Sequence, residues 1–245
     1  LETLLAWLHS LGGNLVGTLP LLAAFLDKPF APSPYEPVSR LFWNEFYLDL
    51  TRIKEVRENR EARELLSSAA FRQEVADLRA APLVDYRRGM ALKRKILEIC
   101  ARSFFAGKHE RQAALQHWLT MNPAALDYAR FRATVEQRRA GWPQWPERMR
   151  TGNLRPEDYH PQIERYHLYV QWLAHEQLQE LTRQAQQKGQ RLYLDLPLGV
   201  HPCGYDAWRQ RNAFALEASG GSPPDAFFTR GQDWGIAPLH PQRIR

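Results

Sequence analysis

Apolar residues fall at helical spacing from the first turn of the chain. Leu4, Leu5, Leu8 and Leu11 share one face, and Gly12-Gly13 ends the pattern. Residues 14–19 follow as a short apolar run suited to a buried parallel strand. Pro29, Pro32 and Pro34 crowd residues 28–35, so that stretch is expected to be a loop leaving the carboxyl end of the strand. From 52 to 150 the periodicity is helical almost throughout. Phe71, Val75 and Leu78 fall on one face, as do Leu92, Ile96 and Ile99, and Tyr128, Phe131 and Val135 make another. Trp142-Pro143-Gln144-Trp145-Pro146 closes this stretch and is expected to cap a helical bundle against its neighbour. Pro161 then opens a long helix at a first-turn position, where its missing N–H costs nothing. Ile163, Tyr166, Val170, Leu173, Leu178 and Leu181 line the buried side, and Lys188-Gly189 ends it before a buried strand at 192–194.

The pattern divides the chain into three segments: helix, strand and loop over 1–51, a helical insert over 52–158, and helix, strand and polar loop over 159–245. Helices that alternate with buried strands, with polar loops at the strand ends, describe an α/β barrel or a doubly wound sheet.

Composition narrows the function classes. A hydrophobic share of 44% with 24% charged residues places the 245-residue chain with folded globular proteins rather than disordered ones. The excess of 33 Lys+Arg over 27 Asp+Glu is scattered. The local clusters Arg87-Arg88, Lys93-Arg94-Lys95 and Arg138-Arg139 are interleaved with apolar residues and read as solvated helix faces, so no nucleic-acid partner is expected. Two cysteines, Cys100 and Cys203, are too few for a disulfide framework and point to a reduced, cytoplasmic protein. His201-Pro202-Cys203 lacks the further ligands of a metal site, and no cofactor is expected. Residues 3–26 carry no Lys, Arg, Asp or Glu, but His9, Gly12-Gly13, Asn14 and Pro20 suit a helix, turn and strand better than a membrane span. The glycines at 12, 13 and 17 precede a strand and lack both the dinucleotide order and the phosphate-loop lysine. No secretory signal is visible, Leu1 is not a methionine, and the chain is expected to be a piece of something longer.

The chemistry concentrates late. Asp195 ends a short apolar strand in Leu194-Asp195-Leu196-Pro197, and the loop beyond carries Pro223-Pro224-Asp225 and Gln232-Asp233-Trp234-Gly235. Sugars offer hydroxyls to carboxylates and amides and an apolar C–H face to aromatic rings. Hydroxyl donation to Asp is the stronger, charge-assisted kind. Proline pairs reduce the entropy lost when such a loop holds one shape.

Five motifs occur in order: Thr18-Leu19-Pro20-Leu21, Ser33-Pro34-Tyr35-Glu36-Pro37-Val38-Ser39-Arg40, Asn44-Glu45-Phe46-Tyr47-Leu48-Asp49-Leu50, Asp195-Leu196-Pro197, and Pro223-Pro224-Asp225 through Trp234-Gly235. Together they resemble the amylomaltases, the 4-alpha-glucanotransferases of glycoside hydrolase family 77, over essentially the whole chain. The resemblance implies a partial (β/α)8 TIM barrel with a large helical insertion. It also implies transfer of 1,4-alpha-glucan segments between maltooligosaccharides by a retaining double displacement. Retention uses two carboxyl groups about 5–5.5 Å apart. By motif, Asp195 resembles the aspartate that holds the donor glucose, and Tyr35, with Ser33 beside it, the tyrosine stacked on that glucose. Gln232 and Trp234 match a mobile loop over the active site, which Asp225 opens. Asp206 and Trp208 are expected only to pack. The family's nucleophile strand is not found before Arg245, so the catalytic carboxylates are expected beyond it, with the first barrel strand also missing. Exposed strand edges follow. The chain alone is therefore expected to be inactive, and the competing reading is a non-catalytic glucan-binding or interaction module of the same fold.

Overall fold

The computed structural model describes residues 1–244. It divides into two compact units, one from Leu1–Trp43, Arg138–Leu154 and the chain from Leu178 onward, the other from Asn44–Gln137 and Arg155–Gln177.

The first unit is built on a repeated joint. Helix α1, Glu2–Ser10, ends where Gly13 N–H donates to Leu8 O at 2.9 Å and Gly12 N–H donates to His9 O at 2.9 Å. Gly12 sits at φ +80°, the left-handed conformation that this cap requires. The chain then enters β1, Leu15–Thr18. A hairpin of β2, Phe25–Leu26, and β3, Phe30–Ala31, comes next. The expected loop over 28–35 thus contains a two-residue antiparallel strand, because Phe30 and Ala31 fold back on Leu26 and Phe25.

Helices α2 (Lys54–Glu58), α3 (Arg60–Ser67), α4 (Ala69–Ala80), α5 (Tyr86–Ala106), α6 (Gln112–Met121) and α7 (Ala124–Arg138) fill the middle, with α8 (Glu147–Arg150) after them. The long α9, Pro161–Gln187, ends as α1 does. Gln190 N–H donates to Ala185 O at 2.8 Å, Gly189 N–H donates to Gln186 O at 3.0 Å, and Gly189 lies at φ +68°. Strand β4, Arg191–Leu194, follows and pairs parallel with β1, Val16 opposite Leu192 and Thr18 opposite Leu194. Leu5, Val16, Leu181 and Ala185 form the core beneath the pair, and Gln190 Nε2 donates to Leu5 O at 2.8 Å to tie the two joints.

The strands expected to be buried are covered on one face only. Val16 is buried, yet Leu15 is 55% and Tyr193 65% exposed. Period-two alternation sends these side chains opposite ways, and the two helices cover only the Val16 side. The Trp-Pro-Gln-Trp-Pro segment is anchored through its two indoles. It belongs to the first unit, where Trp142 Nε1 donates to Pro202 O at 2.9 Å and Trp145 packs on Trp208 with ring centroids 6.2 Å apart. Buried indole N–H groups need acceptors, and the backbone around Pro202 supplies one.

In the second unit, short polar residues start the helices: Asn59 accepts from Ala62 N–H, Ser68 from Phe71 N–H and Asp85 from Arg88 N–H. The apolar positions of α5 are buried as their spacing predicts, and residues 166–174 of α9 are buried all round. Two members of the 93–95 basic cluster are partly withdrawn from solvent onto protein acceptors. Lys93 Nζ donates to the carbonyls of Phe46 and Leu48 at 2.5 and 2.6 Å, and burial pushes its pKa down to about 8. Arg94 binds Glu136 through both terminal nitrogens at 2.9 and 2.7 Å, and His167 Nε2 meets the same carboxylate at 2.6 Å. Burial alone would raise the Glu136 pKa, but His167 and Arg94 outweigh it and hold the carboxyl well below its ordinary range.

Among the described residues, no helix is long and apolar enough to cross a membrane, and no group of three or more His, Cys, Asp or Glu could hold a metal ion.

Breaking a buried ion pair from one side leaves the other charge uncompensated. Glu136→Gln is therefore expected to destabilise the protein by about 3 kcal/mol, read as a lower urea midpoint with an unchanged slope.

Candidate functional site

The site forms in the first unit, where β4 ends. Asp195 follows the last strand residue, Leu194, and its Oδ2 accepts a hydrogen bond from the Tyr35 hydroxyl at 3.0 Å. Tyr35 is 46% exposed, so its ring face remains open beside the carboxylate. The hydrogen bond to Asp195, and then burial, raise the phenol's pKa above its ordinary value. Ser33 Oγ accepts from Tyr35 N–H at 3.3 Å, and Glu36 N–H donates to Ser33 O at 3.2 Å, which closes a tight turn around the tyrosine.

The rest of that loop is fastened from behind. Val38 N–H donates to Ala23 O at 2.7 Å, Tyr205 N–H to Val38 O at 2.7 Å, and His201 N–H to Pro37 O at 2.9 Å. Asp206, on the short helix α10 (Tyr205–Arg209), completes the fastening. Its Oδ1 accepts from Ser39 Oγ at 2.6 Å and its Oδ2 from Arg40 N–H at 2.8 Å. Burial raises the Asp206 pKa, against the pull of Arg40 and Ser39. Gly204 permits the approach, since a Cβ there would lie 2.5 Å from Val38 O. Beside it, the His201 ring meets Phe25 edge-on at 5.2 Å, and its Nδ1 accepts from Cys203 N–H at 3.0 Å. Burial pushes the imidazole down to about 4, so it is neutral at physiological pH.

A second loop contributes the indole. Strands β5 (Gly221–Ser222) and β6 (Gln232–Asp233) pair antiparallel, Ser222 opposite Gln232. Asp225 Oδ1 accepts from Phe227 N–H at 2.8 Å and Phe228 N–H at 2.6 Å, which holds the bend between the strands. Trp234 Nε1 donates to Gln232 Oε1 at 3.2 Å, while Trp234 N–H donates to Gly220 O at 2.9 Å. Gly235, at φ +69°, then passes beside the first loop, and a Cβ on it would lie 3.0 Å from Glu36 Oε1.

The structure therefore joins Ser33 to Tyr35, Tyr35 to Asp195 and Gln232 to Trp234, and it turns one oxygen of Asp225 to its own bend. The sequence reading did not count Asp206, His201 or Glu36 as site residues. Asp206 does pack, as expected, but its packing fixes the loop that carries Tyr35. A lone carboxylate between Tyr205 and the apolar Ala207-Trp208 was the available signal, because a buried acid needs donors.

The family model for 4-alpha-glucanotransferase, glycoside hydrolase family 77, matches residues 1–245. The chain belongs to this family. It is 34% identical over 250 residues to the 4-alpha-glucanotransferase of Mycobacterium tuberculosis strain H37Rv, covering 96% of this chain and 34% of that protein. The 4-alpha-glucanotransferase of Haemophilus influenzae is 27% identical, with 96% and 36% covered. The family 77 chain thus spans about a third of the length of these relatives. Among solved structures, amylomaltase from Corynebacterium glutamicum superposes with TM-score 0.75 at 25% identity over 98% of this chain and 33% of that one. Amylomaltase from Streptococcus agalactiae in complex with acarbose superposes with TM-score 0.74 at 22% identity over 98% and 48%. The fold of the family 77 chain is a partial (β/α)8 barrel with a large helical insertion.

Two outcomes follow from this geometry. Asp206→Asn turns an N–H toward one of two donors, so a loss of about 2 kcal/mol is expected; hydrogen exchange should quicken over residues 36–41 before the rest of the unit. The His201 pKa, about 4, lies below the ordinary imidazole value of about 6.5. The unfolded state thus binds the proton first, and stability is full above pH ~6.5 and declines toward pH ~4, by at most about 3 kcal/mol. His201→Asn keeps an acceptor for Cys203 N–H and should flatten thermal stability across that window; an unchanged slope would assign the effect elsewhere.

Proposed function

We propose that this chain supplies part of the glucan-binding wall of a retaining 4-alpha-glucanotransferase acting on maltooligosaccharides and other 1,4-alpha-glucans. The Tyr35–Asp195 pair is the observation that carries the reading. A carboxylate held by a phenol, beside an open aromatic face at the end of a parallel strand, offers a sugar both a charged acceptor and a stacking surface. In this reading Asp195 takes hydroxyls of the donor glucose, Tyr35 stacks on its ring and Ser33 holds Tyr35 in place. Gln232 and Trp234 cover the site, and Asp225 sets the bend from which they emerge. Family membership and the acarbose-bound Streptococcus relative support the substrate class.

Double displacement needs a nucleophilic carboxylate and an acid/base partner, and this reading assigns neither to a residue of the chain. The chain positions sugar; the covalent step is assigned to carboxylates outside it. Two free thiols, Cys100 and Cys203, support a reducing, cytoplasmic setting.

Maltotriose is expected to bind the chain weakly, in the millimolar range by saturation-transfer NMR. Tyr35→Ala and Asp195→Asn should each weaken binding about tenfold. Incubation with maltotriose should give no glucose and no longer oligosaccharides. Transfer products would show that the catalytic carboxylates lie within the chain, whereas binding indifferent to both substitutions would move the sugar site elsewhere.

A further inference from the structure

We propose that Glu36 is a further glucan-contacting residue, its carboxylate accepting a sugar hydroxyl between Tyr35 and the Trp234 loop; this rests on the site above being where maltooligosaccharides bind. Every other carboxylate at the site has a donor within the protein. Asp195 has the Tyr35 hydroxyl, Asp206 has Ser39 and Arg40 N–H, Asp225 has two backbone N–H groups, and Asp233 has Ser219 and Gly235 N–H. Glu36 is half-buried, and among the described residues its carboxylate meets no ion-pair partner and no hydrogen-bond donor. Removing part of its hydration pushes its pKa up. A partly dehydrated carboxylate without a protein donor retains acceptor capacity, which a ligand hydroxyl can fill.

Its position is fixed. Glu36 N–H is held by Ser33 O at 3.2 Å and Pro37 O by His201 N–H at 2.9 Å, so the backbone that carries the carboxylate is anchored on both sides. Across the gap, Gly235 has no side chain, and a Cβ there would come within 3.0 Å of Glu36 Oε1. The glycine permits that close approach without a side chain crowding the oxygen. The ligand class follows from the surroundings. Among the described residues the carboxylate belongs to no group of metal-ligating residues, it follows Tyr35 in the chain, and the glycine it lies against follows Trp234. Aromatic faces beside a lone acceptor suit a neutral polyhydroxylated ring.

The test is maltotriose binding to the full chain by NMR for the wild type, Glu36→Ala and Glu36→Gln, repeated with a set of monodeoxy maltotrioses. Glu36→Ala should weaken maltotriose about tenfold, and Glu36→Gln less, because its amide oxygen still accepts. For one monodeoxy sugar the wild type and Glu36→Ala should bind alike, since the contact is already absent. Unchanged melting temperatures exclude misfolding as the cause. Equal maltotriose affinity in wild type and Glu36→Ala, or losses that add for every monodeoxy sugar, overturn the Glu36 contact while leaving the glucan site standing. Absence of maltotriose binding to a folded wild type overturns the glucan site and, with it, the contact.

Discussion

Two left-handed glycines set the geometry on which the site depends. Gly12 and Gly189 end α1 and α9 with the same pair of backbone hydrogen bonds, and each releases the chain directly into a strand. The joints place Val16 against Leu192 and bring Thr18 level with Leu194. Asp195 is the residue after that register ends. A side chain at either glycine would have to adopt a conformation that L-residues rarely tolerate. The position of the key carboxylate is thus decided by backbone stereochemistry at the far ends of two helices.

The second unit solves a different problem. Its helices are rich in charge, and the chain buries several of those charges. Glu136 with Arg94 and His167, and Glu55 with Arg111 and Tyr169, form clusters in which both oxygens of each carboxylate have a partner. Such clusters add little net stability compared with apolar packing, because desolvation offsets their attraction. What they provide is a strong penalty for any arrangement that separates them. The apparent basic excess in this region is therefore partly internal.

The elements were legible where a local rule governed them. The glycine stops after α1 and α9, the first-turn Pro161 and the apolar faces of α5 and α7 all follow from neighbours within a turn or two. Ser33, Tyr35 and Asp195 were marked by their motifs, and Tyr35 and Asp195 meet although 160 positions apart. Asp206 was not marked as important, because its weight lies in Ser39 and Arg40, more than 160 positions away. The exposed face of β1 and β4 was also illegible. A run such as Leu15-Val16 has the same composition whether one side or both are covered. Lys93 misled for a related reason, since a lysine beside two other basic residues gives no hint of the two carbonyls that draw it inward.

The tryptophans divide in a way that matters for observing this molecule. Trp142 and Trp208 are buried with their ring nitrogens on backbone carbonyls, and Trp118, Trp145 and Trp172 are buried as well. Trp7, at 59% exposure, and Trp234, at 39%, are the open indoles among the described residues. The chain's ultraviolet emission is accordingly a sum of a shielded, blue-shifted background and a small, quencher-accessible part. Because Trp7 lies on α1 and Trp234 on the loop beside Glu36, replacing the first by phenylalanine would leave a quencher-accessible fraction that comes mainly from that loop.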